Sequence, residues 1–171
     1  ENDYVLSTLL NDVALGADIR AKQKQLAFRL DIDKSLPAIL HGDDIRIRQI
    51  LNNLLSNAVK YTEKGSVTLT ARGIWEAESF YLLFSVKDTG IGISKEDMSK
   101  LFDSFQRLEM SKNRYIQGTG LGLNIAKQLI DSMNGSIEVD SEYGVGSCFT
   151  IKLPQTIVSE SIPSGTTESA E

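Results

Sequence analysis

The stretch that decides the fold is Arg48-Gln-Ile-Leu-Asn-Asn-Leu-Leu-Ser-Asn-Ala-Val-Lys-Tyr-Thr62. At helical period, Ile47, Ile50, Leu51, Leu54, Leu55, Ala58 and Val59 form one broad apolar face that packs inward. Gln49, Asn53, Asn57 and Lys60 recur at spacings of three and four and share a polar stripe. Glu and Lys are better helix formers than Asn, so three amides in register are an unusual solvent face. An amide oxygen ligates hard cations, and an amide N–H or an ammonium meets phosphate oxygens. Taken alone, the stripe also reads as a polar outer face that happens to be rich in Asn.

Around this helix, 171 residues suit one domain, or one domain plus tails, with length for a sizeable core. Net charge is −5, and Glu160, Glu168 and Glu171 carry part of it near the C-terminus. Lys and Arg do not cluster as a nucleic-acid or membrane surface requires, so neither partner is expected. A single cysteine, Cys148, excludes an internal disulfide, suits a reducing compartment and reads as a buried strand residue. With no apolar run of membrane-spanning length and no signal-peptide pattern, a cytoplasmic domain is expected, from a parent that is membrane-anchored or not.

Leu6 to Lys24 predicts a helix on Leu6, Leu9, Leu10, Val13, Ala17 and Ile19, with Gly16 as its weak spot. Ala27–Ile32 predicts a strand and Ala38–His41 a short one, after which Asp43 or Asp44 caps the central helix. Val67–Ala71 and Tyr81–Val86 alternate as an antiparallel hairpin with one buried face, and Trp75 near its tip reads as local packing. Ser94 caps a helix from Lys95 to about Phe102, and Asp103–Gln117 is polar and aperiodic. Leu121–Met133 predicts an amphipathic helix, and Ser136–Asp140 and Ser147–Leu153 a second hairpin. Pro154 is expected to end the fold, with a disordered tail beyond it.

Two glycine clusters flank the loose loop. Gly118-Thr-Gly-Leu-Gly122 reads either as turns or as a phosphate cradle at a helix N-terminus. It lacks the Gly-Lys-Ser/Thr of a P-loop, and no strand runs directly into it. Asp88, in Asp88-Thr-Gly-Ile-Gly-Ile93, ends a buried strand, where an unpaired carboxylate is costly. Its partner is either a hydrogen-bond donor such as the exocyclic amine of adenine or the backbone N–H groups of a tight turn.

Taken in order, these motifs resemble the catalytic, ATP-binding domain of sensor histidine kinases, within the wider group of gyrase-type, Hsp90-type and MutL-type ATPases. Asn53-Leu-Leu-Ser-Asn-Ala-Val-Lys-Tyr-Thr62 is similar to the family's N box and Asp88–Ile93 to its first glycine box. Leu101-Phe-Asp-Ser-Phe105 is similar to the F box and Gly118–Leu123 to the second glycine box. The resemblance implies an α/β sandwich of Bergerat type, with a mixed, largely antiparallel sheet, helices on one face and a lid over Asp103–Gln117. It implies that Asn57 ligates Mg²⁺, Asp88 takes the adenine amine, and Gly90 and Gly92 shape that turn. Asn53 and Lys60 would act near the phosphates and Tyr61 near the nucleotide. Gly118, Thr119, Gly120, Leu121 and Gly122 would wrap the phosphates. Ile93, Leu101, Phe105, Leu123 and Phe149 would line the apolar side or simply pack the core. Arg107, Lys112 and Arg114 are γ-phosphate candidates or a solvated basic loop.

In the related water-splitting ATPases a glutamate holds the position of Asn53 and acts as general base. An amide cannot take a proton near neutral pH, so hydrolysis through Asn53 is disfavoured. Transfer to a neutral imidazole asks mainly for positioning and charge stabilisation. The expected activity is therefore transfer of the γ-phosphoryl of Mg-ATP to a histidine, with an ATPase or a non-catalytic nucleotide-binding module as alternatives. The only histidine, His41, lacks the phosphoacceptor setting and reads as structural or solvent-facing. The acceptor is thus expected on a separate hairpin upstream, with a response-regulator receiver domain downstream. Little self-phosphorylation and a monomer are expected in isolation. The expected division is a linker remnant over 1–8, the catalytic domain over 9–154 and a tail over 155–171.

Overall fold

The computed structural model describes residues 1–101 and 123–159. In chain order these form β1 (Asn2–Val5), α1 (Leu6–Gln23), β2 (Ala27–Ile32), β3 (Ile39–Gly42) and α2 (Asp44–Lys60). There follow β4 (Ser66–Glu76), β5 (Ser79–Asp88), a helix over residues 95–101 (α3), α4 (Asn124–Ser132), β6 (Ser136–Glu142) and β7 (Gly146–Ser159). The strands make one sheet in the order β1-β3-β7-β5-β4-β2, and β6 also pairs with β7. Among the described pairings β2–β4 is parallel and the rest antiparallel, which is the mixed, largely antiparallel α/β arrangement expected.

Alternation along the long hairpin sets which face is wet. Val67, Leu69 and Ala71 of β4 are buried, as are Phe80, Leu82, Phe84, Val86 and Asp88 of β5 and Phe149, Ile151 and Leu153 of β7. The intervening residues are half-buried or exposed, so the sheet is covered on one face. The cover is α2, packed on β4 and β5 and flanked by α1 and α4. The seven apolar positions of its inward face are all buried, each contributing on the order of 1.5–3 kcal/mol for a full-sized side chain, while Ile45 in its first turn is exposed. Asp43 caps α2, its carboxylate accepting from the Arg46 N–H at 3.1 Å. No described helix is long and apolar enough to cross a membrane.

Several boundaries differ from the sequence reading. Residues 1–8 are not a bare linker remnant, since β1 pairs in register with β3, and Leu6, Leu9 and Leu10 are buried in the domain's own core. Pro154 does not end the fold, because β7 continues to Ser159 and pairs with β3 through Thr156, Ile157 and Ser159. Pro154 falls between the run paired with β6, which ends at Lys152, and the run paired with β3, which begins at Thr156. In that gap a residue without an N–H is tolerated. Beyond it, Gln155 accepts a hydrogen bond from the buried Tyr4 hydroxyl at 2.6 Å, tying the extension to β1. Burial and that neighbouring Asp44 carboxylate push the Tyr4 hydroxyl well above the ordinary phenol range. On α1, Ile19 is 51% exposed, and Ala21 takes the buried place instead. Cys148 is a strand residue but only half-buried, on the wetter face. Trp75 is 61% exposed and packs locally, its ring 5.4 Å from that of its cross-strand partner Phe80. His41 lies on β3 beside Asp3 and Glu1.

Two stability outcomes follow from this packing. A Cβ at Gly16 would meet nothing within 4 Å, so Gly16→Ala stabilises α1 by about 0.5–1 kcal/mol in chemical denaturation. A chain ended after Pro154 loses the β3–β7 pairing and the Tyr4–Gln155 bond, so its Tm falls measurably below that of a chain ended after Ser159.

Candidate functional site

The period-two rule that buries Val86 also turns Asp88 toward the core, where it is 6% exposed. Its carboxylate accepts from the Gly90 N–H at 2.9 Å and from the Ser147 N–H at 3.3 Å. Burial nevertheless holds its pKa above the usual carboxylate range, and the two N–H bonds only partly offset that. Asp88 anchors the tight turn of one sequence reading, and it also lines a cavity.

That cavity, about 140 Å³ as formed by the described residues, lies between the end of α2 and the turn after β5. Sites for drug-sized ligands run to roughly 300–1,000 Å³, so this one matches a single ring system more than a whole nucleotide. Asn57, Tyr61, Asp88, Gly92, Ile93, Leu123 and Phe149, all singled out from the sequence, line it. Ala58, Ile91, Asp97 and Ser147 line it as well and were not. Ser147 stands directly opposite Asp88 in the β5–β7 register, a relation that no local sequence pattern reveals.

One hydrogen bond joins the end of the helix to the turn, and a second closes the helix end on itself. The Ile91 N–H donates to the Tyr61 carbonyl at 3.2 Å, and the buried Thr62 hydroxyl donates to the Ala58 carbonyl at 2.7 Å. The turn then docks on the β6–β7 connection. Gly92 has φ +70°, and a Cβ there would collide with the Glu142 carbonyl; Gly146 has φ +149°, and a Cβ would collide with the Asp88 carbonyl. Both positions therefore require glycine. Lys24, unremarked in the sequence, donates to the Val59 carbonyl at 2.7 Å and the Lys60 carbonyl at 3.1 Å, satisfying the last turn of α2 with a cation.

The other expected site residues are placed differently. Asn53 lies one turn before Asn57, and its Oδ1 is buried with no hydrogen-bond partner among the described residues. Lys60 is exposed, its Nζ 5.3 Å from the Tyr61 ring centroid, and is not among the cavity's lining residues. Gly90 is packed against the Tyr61 carbonyl, and Leu101 sits in the core at 1% exposure, where the core reading of it holds. Phe105, Arg107, Lys112, Arg114, Gly118, Thr119, Gly120, Leu121 and Gly122 lie outside the described residues, as does the expected lid.

A buried amide oxygen lacking a partner fits a hard cation, for which amide oxygens are suitable ligands. No group of three or more His, Cys, Asp or Glu side chains that could hold a metal occurs among the described residues. A cation held by amide oxygens would need further oxygens to complete its coordination sphere, and Mg²⁺ commonly takes such oxygens from water and phosphates.

The histidine kinase-, DNA gyrase B- and HSP90-like ATPase family matches residues 42–157. The chain is 44% identical over 132 residues to the sensor histidine kinase RcsC of Escherichia coli strain K12, covering 77% of this chain and 14% of that protein. It is 44% identical over 157 residues to the sensor protein GacS of Pseudomonas syringae pv. syringae, covering 89% of this chain and 17% of that protein. The crystal structure of full-length ShkA in complex with AMPPNP matches with a TM-score of 0.74 at 33% identity, over 91% of this chain and 31% of that one. The nucleotide-free catalytic domain of the histidine kinase ThkA shares the fold, with a TM-score of 0.69 at 23% identity over 90% of this chain and 94% of that one. The chain spans only a small part of the length of RcsC and GacS. Fold and family match together define an ATP-binding α/β domain. More narrowly, the chain belongs to the histidine kinase-, DNA gyrase B- and HSP90-like ATPase family, as a catalytic domain of the sensor histidine kinase type.

The raised pKa of Asp88 has a stability consequence. A carboxyl whose native pKa lies above its unfolded value stabilises the fold fully below the unfolded value and loses that contribution as pH rises through the native one. Asn at this position keeps an acceptor for both N–H groups without the buried charge. Asp88→Asn therefore raises the Tm of the ligand-free domain at neutral pH, and the gain shrinks on acidification; thermal melts across the acidic range check both.

Proposed function

We propose that this domain binds Mg-ATP and transfers the γ-phosphoryl group to a histidine on a separate phosphoacceptor hairpin of its parent protein. The observation carrying this reading is the buried Asp88 carboxylate facing a ring-sized cavity, one helix-turn contact away from the amide stripe of α2. The similarity to sensor histidine kinases, and to a structure solved with AMPPNP, supports it.

In this reading Asp88 accepts from the exocyclic amine of adenine, and Gly90 and Gly92 let the backbone close on the base. Ile93, Leu123 and Phe149 supply the apolar side of the ring pocket, with Tyr61 at its edge. Asn57 and the Asn53 amide oxygen, without a partner among the described residues, would hold Mg²⁺ and orient the phosphate chain. When bound, Mg²⁺ supplies charge neutralisation on the phosphate oxygens. Lys60 adds a cation on the same stripe. The family resemblance adds Phe105, Gly118, Thr119, Gly120, Leu121 and Gly122 as nucleotide contacts, all outside the described residues. Nothing in the stripe accepts a proton from water, since Asn53 is an amide, so the acceptor must bring its own lone pair, as a neutral imidazole does. A receiver domain is the next acceptor, a cytoplasmic setting supplies ATP, and the catalytic unit includes β1 and the end of β7.

Mixing the domain with γ-labelled ATP and a separately prepared phosphoacceptor hairpin tests this. Acid-labile, base-stable label on the hairpin is expected; free phosphate alone would make the domain an ATPase, and no turnover would leave a binding module. Asn57→Ala is expected to weaken a non-hydrolysable ATP analogue by about tenfold or more when Mg²⁺ is present, the size of one charge-assisted contact. Unchanged calorimetric affinity would take Asn57 out of the metal site.

A further inference from the structure

Trp75 belongs to no motif, yet it lines a second and larger cavity, a groove of about 550 Å³. Phe80, Gln155 and Ile157 of the sheet line it with Arg46 of α2 and with Met133 and Asn134 at the end of α4. No lining residue is shared with the cavity beside Asp88, and the two lie toward opposite ends of β5. A groove of this size holds more than one side chain and suits a short peptide segment. The two faces of the β4–β5 hairpin differ in one respect. On the wet face Glu76 pairs with the Lys152 ammonium, which also lies 4.5 Å from the centroid of the Tyr81 ring. On the groove side Trp75 and Glu78 again offer a ring and a carboxylate. Among the described residues no cation lies over Trp75 and none pairs with Glu78.

We propose that this groove docks a basic segment of a partner protein, which lays a lysine or arginine side chain against Trp75 and Glu78. The charge of the lining favours such an occupant. The carboxylates of Glu1, Asp43 and Glu78 face one permanent cation, Arg46. Arg46 is already engaged by the Asp43 carboxylate and the Ser132 hydroxyl, and His41 sits beside Asp3 and Glu1. The C-terminal end of α4 adds the negative pole of a helix, while Asp43 caps the positive pole of α2. A ring face and a carboxylate together attract a cation more than either does alone, and phosphate-bearing partners are repelled by the same charges. The chain's own last stretch, residues 160–171, carries Glu160, Glu168 and Glu171 and neither Lys nor Arg, so it does not complement the groove.

The test is an NMR titration of the full chain with acetyl-Gly-Arg-Gly-amide and with its citrulline counterpart, which keeps the shape and lacks the charge. The arginine peptide should bind with a Kd of about a millimolar or tighter. It should move the indole N–H of Trp75, the only tryptophan, and the side-chain amides of Asn134 and Gln155. Trp75→Leu and Glu78→Gln should each weaken it by about two- to fivefold, the range of one exposed cation–π contact or ion pair. Glu138→Gln removes the same charge from β6, outside the groove lining, and should leave the affinity unchanged. Thermal melts confirm that each variant is folded. Equal binding of the two peptides, no saturable binding, shifts confined to other surfaces, or unchanged affinity in folded Trp75→Leu or Glu78→Gln would overturn the proposal. An equal loss in Glu138→Gln would do the same, by reducing the effect to long-range attraction. Self-association of the free chain that Glu78→Gln abolishes would put a second copy in the groove and sink the assignment to a separate partner.

Discussion

A carboxylate delivered to the buried face of a sheet is the constraint around which the site is built. Strand alternation gives Asp88 no choice of side, because Phe80, Leu82, Phe84 and Val86 before it must all face the helices. A buried charge demands donors, and the protein provides them from two directions: the Gly90 N–H of its own turn and the Ser147 N–H of the facing strand. Those bonds force the turn tightly against β7, and the glycines at 92 and 146 are the steric consequence. Even so, burial outweighs the two bonds and holds the Asp88 pKa above the ordinary carboxylate range.

The second half of the site obeys the helix period in place of the strand period. The apolar face of α2 is spent on packing against the sheet and the flanking α1 and α4, so the amide stripe is left at its edge, where Asn57 reaches the cavity. A helix that ends beside a ligand site exposes its last carbonyls, and here a lysine from the end of α1 satisfies two of them. The Tyr61 carbonyl takes the Ile91 N–H, so helix end and turn share one hydrogen-bond system. Phosphoryl transfer needs such rigidity more than it needs a reactive side chain, because positioning supplies most of the catalysis.

β7 carries the sheet. Its fourteen residues pair with β5 along one edge and with β6 and then β3 along the other, and through β3 they hold β1. The cavity beside Asp88 and the N-terminal strand therefore hang from opposite ends of a single element. The pairing with β6 places Ser141 across from Ser147, so a strand outside every motif supports the residue that stands opposite Asp88.

Local order was readable from residue pattern because it depends on neighbours in the chain. The faces of α2, the alternation of the β4–β5 hairpin and the amide stripe with Asn57 came from spacings of two, three or four, a cap at Asp43 or Asp44 from the residue type before the helix, and Asp88 from its place at the end of a buried strand. Resemblance to a family then joined motifs that lie far apart in the sequence. Relations set by strand register were beyond either route. Ser147 opposite Asp88, Ser141 beneath Ser147, Lys24 on the end of α2 and the run of β7 past Pro154 depend on which segments become neighbours. That is decided when the sheet closes and its backbone groups find their partners, and no short window of residues records it.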